Sequence, residues 1–434
     1  MNVTAGLWAL AILFLLLVLR VPIAVALILV SFGGVWYLLG LNPAIGILSS
    51  TPYEFLSSWT LSAVPMFLLM GFVVYHAGLT TSLFDAAKVV FRRIPGGLGL
   101  SAVFACTGFA AVSGSSIACA ATMGRIAIPE MVRAGYRPSF SAGILAAGGT
   151  IGALIPPSIL MIIYGVFAET SVTKVFLGGI TVGILTALSY AVVILLVATF
   201  RRDIIPATPP GIEDVDLSGF RRDVIPLLLL IVLIFGGLFA GLFTATEAGA
   251  IGAAGAIAIA TFAGRLTWRR FRAALFETVS TCAALFVVGA GAVMFTRFLG
   301  ISGVAGFIAG FVDGIGLSYL ELMLVVILIY LVLGMFLEPF GAMLITLPIL
   351  LPIFQAQGID LIWFGVLLVK LLEVGMVSPP LGMNVFVIRS VASRHVSLAG
   401  VFRGVSLFIL ADLLVIAVLV FWPEIVLFLP RLHG

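Results

Sequence analysis

Apolar residues in this chain gather into unbroken runs of roughly 17 to 25 instead of alternating with polar ones. That is the length of a helix crossing a hydrocarbon layer of about 30 Å, whereas the strands of a membrane barrel would alternate. The pattern predicts an all-α polytopic membrane protein. The expected spans are Val3 to Leu19, then about 21–41, 61–78, 139–165, 175–200, 225–243, 245–264, 274–297, 361–388 and 404–430. Two further apolar stretches, about 97–124 and 318–353, are interrupted midway, by S-G-S-S (Ser113 to Ser116) and by E-P-F-G (Glu338 to Gly341). The N-terminus has neither a basic leader nor a small-residue cleavage site, so the first run is expected to be a retained span.

The interruptions form two matching sets. Pro129 and Pro352, Gly135 and Gly358, Gly152 and Gly375, and Pro156 and Pro379 are all 223 positions apart (352 − 129 and 379 − 156 alike). Both sets contain G-x-x-x-P-P, at Gly152 to Pro157 and Gly375 to Pro380. Hydrocarbon tolerates broken backbone only where protein or a water-filled cavity surrounds it, and matched breaks in a repeat point to the binding site of a secondary transporter.

Basic residues orient the halves, because short cytoplasmic loops collect them. Arg20, then Lys88, Arg92 and Arg93, place the N-terminus and residues 42–60 outside, the latter as an amphipathic connector. The 97–124 stretch has basic residues on both flanks, so it reads as a re-entrant hairpin entering from the cytoplasm. No Lys or Arg occurs between Phe298 and Val369, so the 318–353 stretch reads as a second hairpin, entering from outside. The repeat is therefore expected to be inverted, with residues 201–224 as the cytoplasmic linker between its halves.

Composition sharpens the exclusions. The chain is 62% hydrophobic and 9% charged, against roughly 25% charged in soluble domains. Its net charge of +4 comes from scattered loop arginines without aromatic interleaving, which argues against nucleic acid as a partner. Cys106, Cys119 and Cys282 lie in apolar stretches without metal-ligand spacing. No H-E-x-x-H motif occurs, and none of Lys88, Lys174 and Lys370 follows a phosphate-cradling glycine loop. No nucleophile–base constellation appears, so an enzyme is not expected.

A helix broken at mid-membrane exposes carbonyls and N–H groups, and prolines free the carbonyls four residues upstream. At Pro156–Pro157 those are on Gly152 and Ala153; at Pro379–Pro380, on Gly375 and Met376. Carbonyls with serine hydroxyls suit Na⁺, and helix N-termini suit a carboxylate. Two symmetric cation sites follow, each a hairpin tip against a broken span. Arg297 either snorkels outward as an anchor or turns inward as a fork for a substrate carboxylate. Lys370 and Glu373, three apart, share a helix face and read as a mutually neutralised pair. Glu338 can bind a cation or cap a helix, and Asn384 offers both a donor and an acceptor. His76, Glu247 and Asp412 fall near expected span ends, where water reaches.

The run S-G-S-S-I-A-C-A-A-T-M-G-R-I-A-I-P-E-M-V-R-A-G-Y and the later A-A-G-G-T-I-G-A-L-I-P-P-S-I-L resemble the large membrane subunit of TRAP (tripartite ATP-independent periplasmic) transporters. So do R-V-P-I-A at Arg20, T-A-T-E-A-G-A around Glu247, P-I-L-L-P at Pro348, and E-V-G-M-V-S-P-P-L-G-M-N from Glu373. The resemblance spans essentially the whole chain. It departs at Ala245, at Glu338 where aspartate is common, and at Lys370 where the span is usually uncharged.

The resemblance implies a Na⁺-coupled, elevator-type importer of organic acids, such as C4-dicarboxylates or sialic acids, in the bacterial inner membrane. It implies a four-span membrane subunit (Q type) and a periplasmic substrate-binding protein (P type) as partners. A stand-alone Na⁺/dicarboxylate elevator carrier is the alternative. The scaffold would comprise residues 1–60, 175–272 and 391–434; the moving transport domain would comprise 61–174 and 273–390, each with one hairpin. Together with the reading of the breaks, the candidate cation set is Ser113, Gly114, Ser115, Gly149, Gly152, Pro156, Glu338, Gly341, Gly375, Ser378 and Pro379. The candidate substrate set is Ser115, Ser116, Ser158, Arg297 and Asn384.

Overall fold

Helix is the only regular structure among the residues described by the computed structural model, 2–79, 81–206 and 224–432. In hydrocarbon a backbone must satisfy its own hydrogen bonds, and runs apolar on every face do so as helices. The first half comprises α1 (Val3–Val18), α2 (Ile23–Leu39), α3 (Leu41–Leu56), α4 (Ala63–Ala77), α5 (Thr81–Phe91), α6 (Gly97–Ser113), α7 (Ser116–Arg133), α8 (Pro138–Thr150), α9 (Ile159–Phe167) and α10 (Val172–Phe200). The second comprises α11 (Ile225–Phe239), α12 (Ala245–Phe262), α13 (Trp268–Ser302), α14 (Val304–Ile315), α15 (Tyr319–Phe336), α16 (Pro339–Ala356), α17 (Leu361–Gly375), α18 (Met383–Val391), α19 (Leu398–Phe421) and α20 (Glu424–Leu432). Seven helical segments among the described residues are long and apolar enough to cross a membrane by length and composition. Large apolar side chains such as Trp8, Phe262 and Leu414 cover the exterior, as a lipid-facing surface requires.

The repeat seen in sequence is a repeat of elements. The helices α6, α7, α8 and α9 have counterparts in α15, α16, α17 and α18, with starts 222 to 224 residues apart (319 − 97, 339 − 116, 361 − 138, 383 − 159). Both interrupted stretches are helix–turn–helix units, α6–α7 turning at Gly114–Ser115 and α15–α16 at Leu337–Glu338. Each of the expected spans 139–165 and 361–388 is two half-helices around an irregular break, with cis peptide bonds at Pro156–Pro157 and Pro379–Pro380. Residues 42–60 form α3 and the short 3₁₀ turn Trp59–Ser62.

Three features depart from the sequence reading. The helices α5 and α14 were not foreseen, being short and amphipathic. The expected last span, 404–430, is two helices that part at Trp422–Pro423, where proline removes a donor. Span 274–297 is the core of α13, which is 35 residues long. Of the expected linker, residues 207–223 lie outside the described residues.

Backbones approach most closely where α8 meets α19. A Cβ on Gly404 would lie 1.8 Å from the Ser139 carbonyl oxygen, and one on Gly143 would lie 2.2 Å from the Gly404 carbonyl carbon. Only glycine at both positions lets these helices touch. Hairpin α6–α7 packs with α8, α18 and α19 around Phe109, Met123, Phe140 and Phe408.

Candidate functional site

At the first tip, α6 ends on Gly114 in the left-handed conformation (φ 59°), and Ser115 opens α7 as its N-cap, its hydroxyl accepting from the Ala118 N–H at 3.4 Å. The break after α8 is a 3₁₀ turn, Ile151–Ala153, followed by irregular backbone to Ser158, which caps α9 by accepting from the Met161 N–H at 3.4 Å. Tip and break are pressed together. A Cβ on Gly114 would lie 2.2 Å from the Pro157 oxygen, and one on Gly152 would lie 3.0 Å from the Ser115 oxygen. A Cβ on Gly149 would lie 3.0 Å from the Ser116 oxygen and 3.2 Å from the Asn384 amide nitrogen. Thus Ser115, Ser116, Gly149 and Gly152 of the first half come together, and Asn384 of the second half reaches them at Gly149.

The second tip is arranged differently. Glu338 occupies the N-cap of α16 with Pro339 in the first turn, and Gly341 abuts Ile23 of α2, whose Cδ1 would lie 2.4 Å from an added Cβ. Gly375 faces Gly334 of α15, not the tip. The Ser378 hydroxyl donates to the Val374 carbonyl at 2.7 Å. Pro156 and Pro157 are buried, whereas Pro379 and Pro380 are exposed, so the two breaks sit in unlike surroundings.

One cavity of about 450 Å³ is lined by both tips, Ser113 to Ser116 and Glu338 to Phe340. Its wall includes three carboxylates, Glu277, Glu338 and Glu373, and no Lys, Arg or His. The buried Ser113 hydroxyl, and both amide atoms of the fully buried Asn384, have no hydrogen-bond partner. Buried polar atoms without partners are rare in folded proteins and call for an explanation such as a bound ion or water. No group of three or more His, Cys, Asp or Glu able to hold a metal occurs among the described residues, and all three cysteines are buried and free.

Arg297 is not in the cavity wall. Its guanidinium donates to the Thr51 hydroxyl at 2.8 Å and pairs with Glu54, joining α13 to α3. Glu247 caps α12 through a capping box with Thr244. His76 lies 3.2 Å from Glu277.

Two sequence readings are corrected. Lys370 and Glu373 do not neutralise each other. Glu373 accepts the Ser116 hydroxyl at 2.5 Å, while Lys370 pairs with Asp412 and donates to the Thr186 hydroxyl at 3.1 Å. Asp412 is not at an interface: both partners of the Lys370–Asp412 pair are 0% exposed. Tyr190 donates to the Asp412 carboxylate at 2.8 Å, and its oxygen lies 3.1 Å from the Thr150 hydroxyl. The signal for this network was available, since one lysine and one aspartate in apolar runs need counter-charges. Periodicity along single helices does not show which helices face each other.

Matched halves, broken helices and a cavity lined by both hairpin tips define a multi-pass membrane transport protein. The fold is similar to that of the YdaH transporter of Alcanivorax borkumensis, with a TM-score of 0.64 at 15% identity over 88% of this chain and 89% of that one. Residues 10–425 match the family model "Tripartite ATP-independent periplasmic transporter, DctM component", and the chain belongs to that family as a TRAP large membrane subunit. It is 37% identical over 407 residues to the C4-dicarboxylate TRAP transporter large permease protein DctM of Pseudomonas aeruginosa, covering 91% of this chain and 94% of that protein. It is 33% identical over 386 residues to the isethionate TRAP transporter permease protein DctMQ of Oleidesulfovibrio alaskensis, covering 88% of this chain and 60% of that protein.

Proposed function

We propose that this permease imports a small organic acid across the bacterial inner membrane, coupled to Na⁺, by an elevator motion. A periplasmic binding protein delivers the solute, and a small four-span subunit completes the membrane part. The observation that carries the reading is a cavity shared by both tips, with the unpartnered Ser113 hydroxyl in its wall and the unpartnered Asn384 amide against Gly149 at the back of the first cradle. A wall with three carboxylates and no basic side chain favours cations first. An anionic solute would then be held by those cations and by the positive N-termini of α7, α9 and α16, not by an arginine. Ser115, Ser116 and Ser158 stand at those N-termini and remain the solute candidates in the first half.

The moving body in this reading holds both hairpins and both broken spans. We draw its boundary wider than the sequence reading did. The Gly143–Gly404 backbone contact, the buried Lys370–Asp412 pair and the Lys370–Thr186 bond support moving α10 and α19 together with α8 and α17. The N-terminus is assigned to the periplasmic face from loop charges.

The test is uptake into proteoliposomes holding this chain with its membrane partner, supplied with the binding protein and a panel of organic acids. Uptake should need an inward Na⁺ gradient and the binding protein. Equal uptake with K⁺ in place of Na⁺ would refute the coupling, and full rates without a binding protein would favour a stand-alone carrier.

A further inference from the structure

Outside the cavity wall, the first cradle is braced by a polar spine to which the transport reading assigns no part in binding. Thr150 is the last residue of α8, immediately before the 3₁₀ turn that carries Gly152. Its hydroxyl lies 3.1 Å from the Tyr190 oxygen on α10, and the Tyr190 O–H donates to the Asp412 carboxylate on α19, 2.8 Å from both its oxygens. Lys370 of α17 neutralises Asp412, donates to Thr186 at 3.1 Å, and sits 5.8 Å from the Tyr190 ring centre. All five side chains are fully buried. Three residues beyond Lys370, Glu373 holds the Ser116 hydroxyl of the first tip. Both walls of the cradle, the tip and the break, are thus anchored on α17 and α19 of the other half.

The spine ends on the backbone that matters for a cation. The 3₁₀ turn fixes where the Gly152 carbonyl points, and a carbonyl displaced by a fraction of an ångström is a poorer ligand. The Thr150 hydroxyl also donates to the Ala147 carbonyl of its own helix at 2.6 Å, so it ties the last turn of α8 to Tyr190.

We propose that Tyr190 and Asp412 are positioning residues for cation binding at the first cradle, acting through Thr150 on the Ile151–Ala153 turn. The inference rests on the Na⁺-coupled reading and adds residues outside the cavity wall to it. The variants are Tyr190→Phe and Thr150→Val, which delete one hydroxyl each and keep the packing, together with their double and Thr150→Ser. Two readouts are taken on the full chain with its partners: the Na⁺ concentration for half-maximal uptake, and the rise in unfolding temperature of the purified protein in NaCl over KCl.

Each single variant should raise half-saturating Na⁺ roughly three- to tenfold, the size of one hydrogen bond, and shrink the NaCl-specific stabilisation. The double should match the singles, since both break the same link, and Thr150→Ser should behave as the parent. Solute KM at saturating Na⁺ should stay the same. Unchanged Na⁺ dependence, a double effect equal to the product of the singles, or a loss of stability equal in NaCl and KCl would overturn the proposal. A parent protein with no response to Na⁺ in either readout would overturn the coupled reading itself, and this inference with it.

Discussion

At Gly114 the chain turns from α6 into α7 with its Cα hydrogens against the Pro157 carbonyl. A methyl group there would lie 2.2 Å from that oxygen, in a backbone conformation that disfavours any side chain. Gly114→Ala is expected to cut uptake at least roughly tenfold by prising tip from break, while the protein still inserts. Measured uptake and surface yield check both halves of that statement. The role of Arg297 is decided by its neighbours. Its pair with Glu54 is partly exposed, with side chains 39% and 55% accessible, and such pairs contribute about 1 kcal/mol or less. Arg297→Ala is therefore expected to leave solute KM within about twofold of the parent. A KM rise well beyond that would put the guanidinium on the solute's path. The sequence left anchor and ligand open because it cannot show that Thr51 and Glu54, 246 and 243 residues away, meet Arg297. The serines and glycines of the tips were legible, since S-G-S-S and G-x-x-x-P-P are conspicuous in apolar runs. The unpartnered state of Ser113 and Asn384 was not.

At the scale of elements, the Lys370–Asp412 pair joins α17 to α19 with neither charge exposed. Removing one partner strands the other, at a cost of about 3–5 kcal/mol, whereas replacing both by apolar residues is often neutral. Lys370→Met should lower the unfolding temperature sharply, and Lys370→Met with Asp412→Leu should recover most of it. A double variant as unstable as the single would show that the surrounding hydroxyls, not the charges, hold the helices. Outside the membrane, Arg201 beside Asp203 holds that carboxyl below its ordinary range, and Arg137 also pairs with it. A lowered folded-state value means the contribution is present above the unfolded value of about 4 and is lost as pH falls through the folded one. Asp203→Asn should thus flatten the acid side of the stability profile, by removing a small contribution near neutrality and matching the parent once pH falls below the folded-state value. Helix positions were readable from apolar run length, and the hairpins and half-helices from their interruptions. The helices α5 and α14 were not, because they are short and amphipathic.

For the whole molecule, the proposed elevator motion requires the second tip to move against the helices beside it. Gly341 of the second tip rests on Ile23 of α2, a helix expected to stay still. Cysteines at both positions, oxidised to a disulfide, should arrest uptake reversibly, with full recovery on reduction. Undiminished transport by the cross-linked protein would rule out relative motion of these elements. The repeat was legible from its 223-residue offset, but which helices cross between the halves was not.

The Ser116–Glu373 bond spans 257 residues of chain. While the ribosome is still making the second half, the first hairpin is already in the bilayer with its serine unmet and the groove for Asn384 vacant. Long-range partners arriving late leave early segments exposed to wrong associations. A gene cut at the linker should therefore yield a working protein only when both pieces are made together, and the N-terminal piece alone should be cleared by quality-control proteases.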